Sequence, residues 1–198
     1  MGKFSIEYMI NQAVSGTSDI HSHLLTLFAL ALNIKAKVII ELGVRGGEST
    51  IPLLLAAQKN GGKLHSVDIK DHGISSVPEN LKKLWKFYKS DAIEFLKNWK
   101  VKADLVFVDD WHTYDHVKKE LEIIETFITP SSLVILHDSM YYNYEPYYHM
   151  DLNATGQWAD GGPYRALSEL DKNSWEFSTI PSCHGLTILR KKPNKKFK

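Results

Sequence analysis

From Val38 onward, short apolar runs alternate with longer amphipathic ones, and few folds accommodate that rhythm except a mostly parallel sheet covered by helices on both faces. The strand runs are residues 38–42, 64–68, 86–90, 104–109 and 133–137, each mostly apolar and bounded by polar or turn residues. Helical spacing fills the gaps at 49–58, 79–85, 91–99, 114–127 and 163–172, with Thr129-Pro130 stopping the fourth. Ahead of the sheet, residues 19–33 read as a helix capped by Ser18 or Asp19. Two last runs, 175–180 and 185–190, flank Pro181-Ser182-Cys183-His184 and predict a hairpin. The expected fold is therefore α/β and doubly wound, a mostly parallel seven-stranded sheet closed by an antiparallel C-terminal strand.

A chain of 198 residues, 43% of them hydrophobic, can bury one good-sized core but not two. We expect a single domain over 1–198, with 1–37 an N-terminal helical cap, 139–162 a lid-like insertion and 191–198 a flexible tail. Lys and Arg number 24 against 23 Asp and Glu, so no global field draws the chain to nucleic acid or an acidic membrane. The expected partner is a small molecule, with a homodimer as a further expectation. Cys183 is the lone cysteine, which excludes an internal disulfide, and MGKFSIEYM lacks the apolar core of a signal peptide. Both point to the cytoplasm. The most apolar stretch, from Leu24 to Leu32, is far short of the roughly 20 residues that span a bilayer.

The most specific motif is V-I-I-E-L-G-V-R-G-G-E-S-T, in which a buried strand carrying Glu41 runs through Gly43, Gly46 and Gly47 into a helix. Glycines there let the backbone turn sharply and approach a ligand, and the helix N-terminus near Ser49 offers N–H groups to a carboxylate or phosphate. Arg45 and Glu48 stand where a dinucleotide fingerprint needs glycine, and no Gly-Lys-Ser/Thr makes a phosphate loop. Asp68 ends the second strand, where a carboxylate can accept both hydroxyls of a ribose.

Glu41-Leu42-Gly43 with Gly47 and Ser49 resembles the first motif of class I S-adenosylmethionine-dependent methyltransferases, which are Rossmann-like, and is especially similar to the catechol O-methyltransferase group. The resemblance implies that Gly43, Gly47 and Ser49 hold the methionine moiety of S-adenosylmethionine, that Glu41 supports that end, that Asp68 binds the ribose, and that Arg45 is a further cofactor-binding residue. Ser90-Asp91-Ala92 resembles the third-strand motif, which places Asp91 and Ala92 beside the adenine.

The fourth and fifth strands end in Asp109-Asp110 and Asp138. Carboxylates set side by side repel, so the pair invites a divalent metal, a shared proton or a bound amine. In the catechol-type enzymes the positions matching Asp109 and Asp138 are metal ligands, and the third ligand is an Asn where this chain has Ser139. The family's lysine base aligns with His112, and Asp-x-x-His-x-Tyr followed by His-Asp resembles a broader set of bacterial methyltransferases. We expect His112 to act as general base because a group titrating near neutral pH suits proton removal from a hydroxyl. Asp109, beside the cofactor and the acceptor, or a metal would polarise the same hydroxyl. Mg²⁺ is the first expectation for the metal, since the ligands are mainly oxygens. His137, inside a strand, reads as a structural core residue.

The segment M-Y-Y-N-Y-E-P-Y-Y-H-M within the insertion suits an acceptor wall, because Tyr faces stack on sugars or aromatic rings. The expected reaction is O-methylation of a small hydroxylated acceptor, a sugar or phenolic natural product. The rival readings are non-methylating oxidative chemistry on the same fold and a nucleoside-binding module without catalysis.

Overall fold

A computed structural model describes residues 4–71, 77–140 and 161–193. The elements run α1 (Ile6–Ser15), a 3₁₀ turn (His21–His23), α2 (Leu24–Asn33), β1 (Val38–Leu42), α3 (Thr50–Asn60), β2 (Lys63–Asp68), α4 (Glu79–Lys82), β3 (Trp85–Lys89), α5 (Ala92–Asn98), β4 (Leu105–Val108), α6 (Tyr114–Ile124), β5 (Leu133–His137), α7 (Gly162–Ser168), β6 (Trp175–Ile180) and β7 (Leu186–Lys191). They form a seven-stranded sheet in the order β3-β2-β1-β4-β5-β7-β6. β1 to β5 pair in parallel, and β7 runs antiparallel to both β5 and β6. This is the expected doubly wound sheet with its antiparallel closure.

Alternation along the strands sorts the core into two layers. Ile40, Leu42, Val106, Val108, Val134 and Leu136 face Phe95, Leu121 and Leu167 of α5, α6 and α7. Ile39, Leu105, Phe107 and Ile135 face Leu24, Leu27, Leu53 and Leu54 of α2 and α3. Because both sheet faces are covered, the central strands read as continuous apolar runs rather than as alternating ones. The strand order reverses between β1 and β4, and in such sheets the crevice outside the carboxyl ends at that switch is where ligands bind.

Three local expectations change. The N-terminal helix starts at Leu24 rather than at residue 19, and neither Ser18 nor Asp19 caps it: Asp19 accepts both guanidinium nitrogens of Arg45, at 2.7 and 2.5 Å. α1 is an element the apolar pattern hid, since Ile6, Ile10 and Val14 are exposed while Met9 is buried; Ser5 caps it by accepting the N–H of Tyr8. The expected tail begins later than residue 191, because Lys191 closes β7 and reaches Glu125 at 3.0 Å, and the Lys192 N–H bonds the carbonyl of Ser174. Most of the expected lid, residues 141–160, and of the tail, 194–198, lies outside the described residues. Among the described residues, no helix is long and apolar enough to cross a membrane.

Candidate active site

A cavity of about 790 Å³ opens at the β1/β4 switch. That is within the range of small-molecule and cofactor pockets. Its wall includes Gly43, Arg45, Ser49, Asp68, Asp91 and Ala92 from the expected cofactor half, and Asp109, His112 and Asp138 from the expected reacting half. Residues from five strand ends therefore share one space.

The loop after β1 is shaped by its glycines and held by Asp68. Gly43 has φ +84° and Gly47 φ +81°, and the Gly47 N–H bonds the carbonyl of Val44 at 2.7 Å. The Oδ2 of Asp68 accepts the N–H groups of Val44 and Arg45 at 3.0 and 3.1 Å, so this carboxylate braces the turn as well as facing the cavity. Arg45 lies on the rim with its guanidinium on Asp19, a bidentate pair exposed enough to contribute only about 1 kcal/mol or less. Asp91 caps α5 by accepting the N–H of Glu94 at 2.9 Å, which leaves Asp91 and Ala92 at the cavity edge beyond β3.

Glu41 does not reach the cavity wall. Fully buried, it accepts the hydroxyls of Ser49 at 2.6 Å, Thr50 at 3.0 Å and Ser66 at 2.5 Å, and Ser66 in turn accepts the indole N–H of Trp85. Glu41 thus fixes the start of α3 against β1 and β2. Burial outweighs these three donors and pushes its carboxyl up to about 7, from an ordinary value of 4.5. A raised folded-state value means the folded chain binds more protons between those limits, so this stabilisation is full below about pH 4.5 and lost as pH rises to about 7. Denaturant titrations should show stability falling by up to about 3 kcal/mol across that window, and Glu41→Gln should flatten the fall. An unchanged slope in the variant would assign it to other groups.

At the other end of the cavity two carboxylates meet three imidazoles. His112 Nε2 lies 3.5 Å from Asp109 Oδ1 and 3.1 Å from Asp138 Oδ2. His137 Nδ1 lies 3.1 and 3.3 Å from the same two oxygens, and His184 Nδ1 is 3.1 Å from Asp138 Oδ1. Asp138 holds a left-handed φ of +51°, a conformation Asp tolerates better than most residues. Burial would raise its carboxyl, but the hydrogen bonds from His112, His137 and His184 hold it well below the usual range. Burial would likewise lower His112, yet its bonds to Asp109 and Asp138 win and push it up to about 10. The neutral-range titration expected of His112 therefore does not describe this arrangement, in which the imidazole keeps its proton.

His137 is the residue sequence reasoning missed here. It is buried, as a core residue would be, but its Nε2 donates to the carbonyl of Cys183 at 2.9 Å. With Nε2 so engaged, Nδ1 points at Asp109 and Asp138. Burial would lower this imidazole, but the two carboxylates raise it well above its ordinary value, so Nδ1 donates to them here. Orientation by a backbone carbonyl is also how metal-ligating histidines are held. Asp109, His137 and Asp138 bring three ligand atoms within 4.8 Å of one another. Ser139 is not part of the set, because its hydroxyl accepts that of Thr187 at 2.7 Å. The donor lost where the resembling family has Asn is matched by a histidine two positions earlier.

A family profile described as a methyltransferase domain matches residues 40–139. The chain belongs to this methyltransferase family. The match takes in the glycine loop after β1, Asp68, Asp91 and both acidic strand ends, and the sheet around them is the Rossmann-like one of class I S-adenosylmethionine-dependent methyltransferases. No curated protein matches this methyltransferase in sequence. Among solved structures it is similar to a Podospora anserina methyltransferase bound to S-adenosylhomocysteine, with a TM-score of 0.72, 17% identity and coverage of 89% of this chain and 80% of that one. The O-methyltransferase TomG of Streptomyces achromogenes, involved in tomaymycin synthesis and solved with S-adenosylmethionine, gives 0.66 at 19% identity, covering 87% and 81%. An O-methyltransferase of Bacillus cereus bound to S-adenosylhomocysteine gives 0.69 at 16%, covering 94% and 90%.

Proposed function

We propose that this methyltransferase carries the methyl group of S-adenosylmethionine to a hydroxyl of a small molecule, a sugar or a phenol, with His112 as the base and Asp109, His137 and Asp138 as the seat of a divalent ion. The observation that supports it is the single cavity in which the Gly43–Ser49 loop, Asp68 and Asp91 face the acidic and histidine cluster. In this reading the loop and Arg45 receive the methionine end, Asp68 the ribose and Asp91-Ala92 the adenine, while Glu41 positions Ser49 from beneath.

The reaction is an in-line displacement: the acceptor oxygen forms a bond to the methyl carbon, the carbon–sulfur pair returns to sulfur, and the hydroxyl proton goes to His112 Nε2. A divalent ion bound by the Asp109–His137–Asp138 set would polarise the acceptor oxygen and engage the charge of both carboxylates. Were that charge engaged, Asp109 and Asp138 would hold the His112 proton less tightly, and the imidazole would be able to accept one. The His nitrogen in the set widens the choice of ion from Mg²⁺ to Mn²⁺ or Zn²⁺.

Incubation with methyl-labelled S-adenosylmethionine and a panel of sugars and phenols, with and without a chelator, tests the reaction. Label in a hydroxyl ether is the expected result, and label loss on chelation is the result expected of the ion. Transfer to nitrogen or carbon acceptors alone would reject O-methylation. Calorimetry on Asp68→Ala should show S-adenosylmethionine binding weakened by roughly 1–3 kcal/mol. Undiminished affinity would take Asp68 out of the cofactor site.

A further inference from the structure

A second cluster stands beside the first and shares no residue with it: Asp110, from the turn after β4, with His116 and Glu120 one turn apart on α6. The geometry points to a second divalent-cation site made by Asp110, His116 and Glu120, suited to a transition-metal ion such as Zn²⁺ and open to the cavity.

Glu120 carries the argument. The inward face of α6 is set by Tyr114, Val117, Leu121 and Ile124, all buried, and Glu120 lies with them at 0% exposure. Neither of its carboxylate oxygens has a hydrogen-bond partner, and Asp110 Oδ1 also lacks one. A carboxylate so placed costs several kcal/mol unless something positive or a proton meets it. His116 does not fully answer that need. Its Nε2 is 2.9 Å from Asp110 Oδ2, a good hydrogen bond, but 3.5 Å from Glu120 Oε1. The histidine's good hydrogen bond goes to Asp110, and Glu120 keeps only the longer contact.

The same distances suit a bound ion. Two donors held at about 2.0–2.2 Å from one metal lie about 2.8–3.6 Å apart for angles between a right angle and the tetrahedral one. The three donor atoms lie within 4.8 Å of one another, and two carboxylates with a neutral imidazole give the double negative charge that a divalent ion cancels. A nitrogen ligand selects borderline transition metals over Ca²⁺. Asp110 and His116 line the cavity while Glu120 is sealed behind them, so coordination positions not filled by protein face the bound molecules. An oxygen donor of the acceptor, a hydroxyl or a carboxylate, is what such a position takes.

The test uses the full chain, stripped by chelator and titrated with Co²⁺, whose visible absorption reports coordination geometry; it needs neither cofactor nor acceptor. Asp138→Asn, which impairs the first cluster, should retain one equivalent of Co²⁺, displaceable by Zn²⁺. His116→Gln and Glu120→Gln, combined with Asp138→Asn, should each weaken that binding at least tenfold. Circular dichroism should show these variants folded, since Glu120→Gln removes a buried charge without changing the side chain's shape. Retention in Asp138→Asn with loss in both combined variants establishes the site. Loss of all Co²⁺ in Asp138→Asn, or binding indifferent to His116 and Glu120, overturns it. So does a wild-type chain that takes no Co²⁺ while Glu120→Gln raises the unfolding midpoint, since a proton then sits where the ion was placed.

Discussion

Turnover of the His112→Ala variant should fall roughly 10²–10⁴-fold while its affinity for S-adenosylmethionine stays near that of the wild type. His112 stands at the end of the cavity where β4 and β5 emerge, on the carboxylate pair and apart from the glycine loop. Removing it takes away the proposed proton acceptor and one of the imidazoles over Asp138, but none of the groups around Asp68. His112→Gln separates the two losses. It keeps a hydrogen-bonding group of similar reach yet cannot take a proton at neutral pH, so Gln should be nearly as slow as Ala. A fast Gln variant would make His112 an orienting residue. A fast Ala variant would remove it from the reaction, leaving ion activation and proximity to carry the step.

Among the described glycines, Gly43→Ala should be the most damaging addition of a methyl group. A Cβ at this position would stand 2.1 Å from the carbonyl oxygen of Asp109 and 2.9 Å from Cα of Asp110, and φ at +84° is strained for any side chain. Both obstacles are backbone, which cannot swing aside as a side chain could. Relief requires β1 and β4 to part at their carboxyl ends, where the Asp109 N–H bonds the carbonyl of Leu42. We expect a loss of stability of about 3 kcal/mol or more, from strain and forced displacement together. Any protein that still folds should lose turnover by about 10²-fold beyond that, since a shift of Asp109 by about 1 Å spoils alignment at the reacting centre. Thermal unfolding and single-turnover rates read the two effects separately. A variant with wild-type midpoint and rate would show that the loop and β4 are less closely packed than these distances imply.

How much of this was legible beforehand depended on whether local pattern or distant partners decide each feature. The parallel strands were legible because burial on both faces leaves uninterrupted apolar runs, and β1, β5 and β6 match their expected bounds residue for residue. That Asp68, Asp109 and Asp138 meet at one cavity was legible, because carboxyl ends of parallel strands converge on the switch-point crevice. His137 was not, since a histidine in a strand looks the same whether its ring meets the core or a cluster, and what decides is the carbonyl of Cys183, 46 residues away. Arg45 could be placed on the cofactor loop but not its partner: Asp19 was read as a cap because a cap is what local sequence can show, whereas the guanidinium that takes it lies 26 residues on. Glu120 was hidden by its own context, a charged residue within a run, KKELE, that reads as a solvated helix face.

The β6–β7 hairpin also sets a schedule. His137 and His23 both hang on carbonyls of the turn before β7, those of Cys183 and Ser182, and Val134 to Leu136, paired on one side with β4, find their second strand partner only in β7. During synthesis these residues emerge after every other part of the site, so the cofactor loop and both acidic strand ends exist for a time with β5 as an open edge. A chain stopped short of the hairpin would leave β5 with an open edge, the kind that invites pairing with other chains, and His23 and His137 without their carbonyl partners.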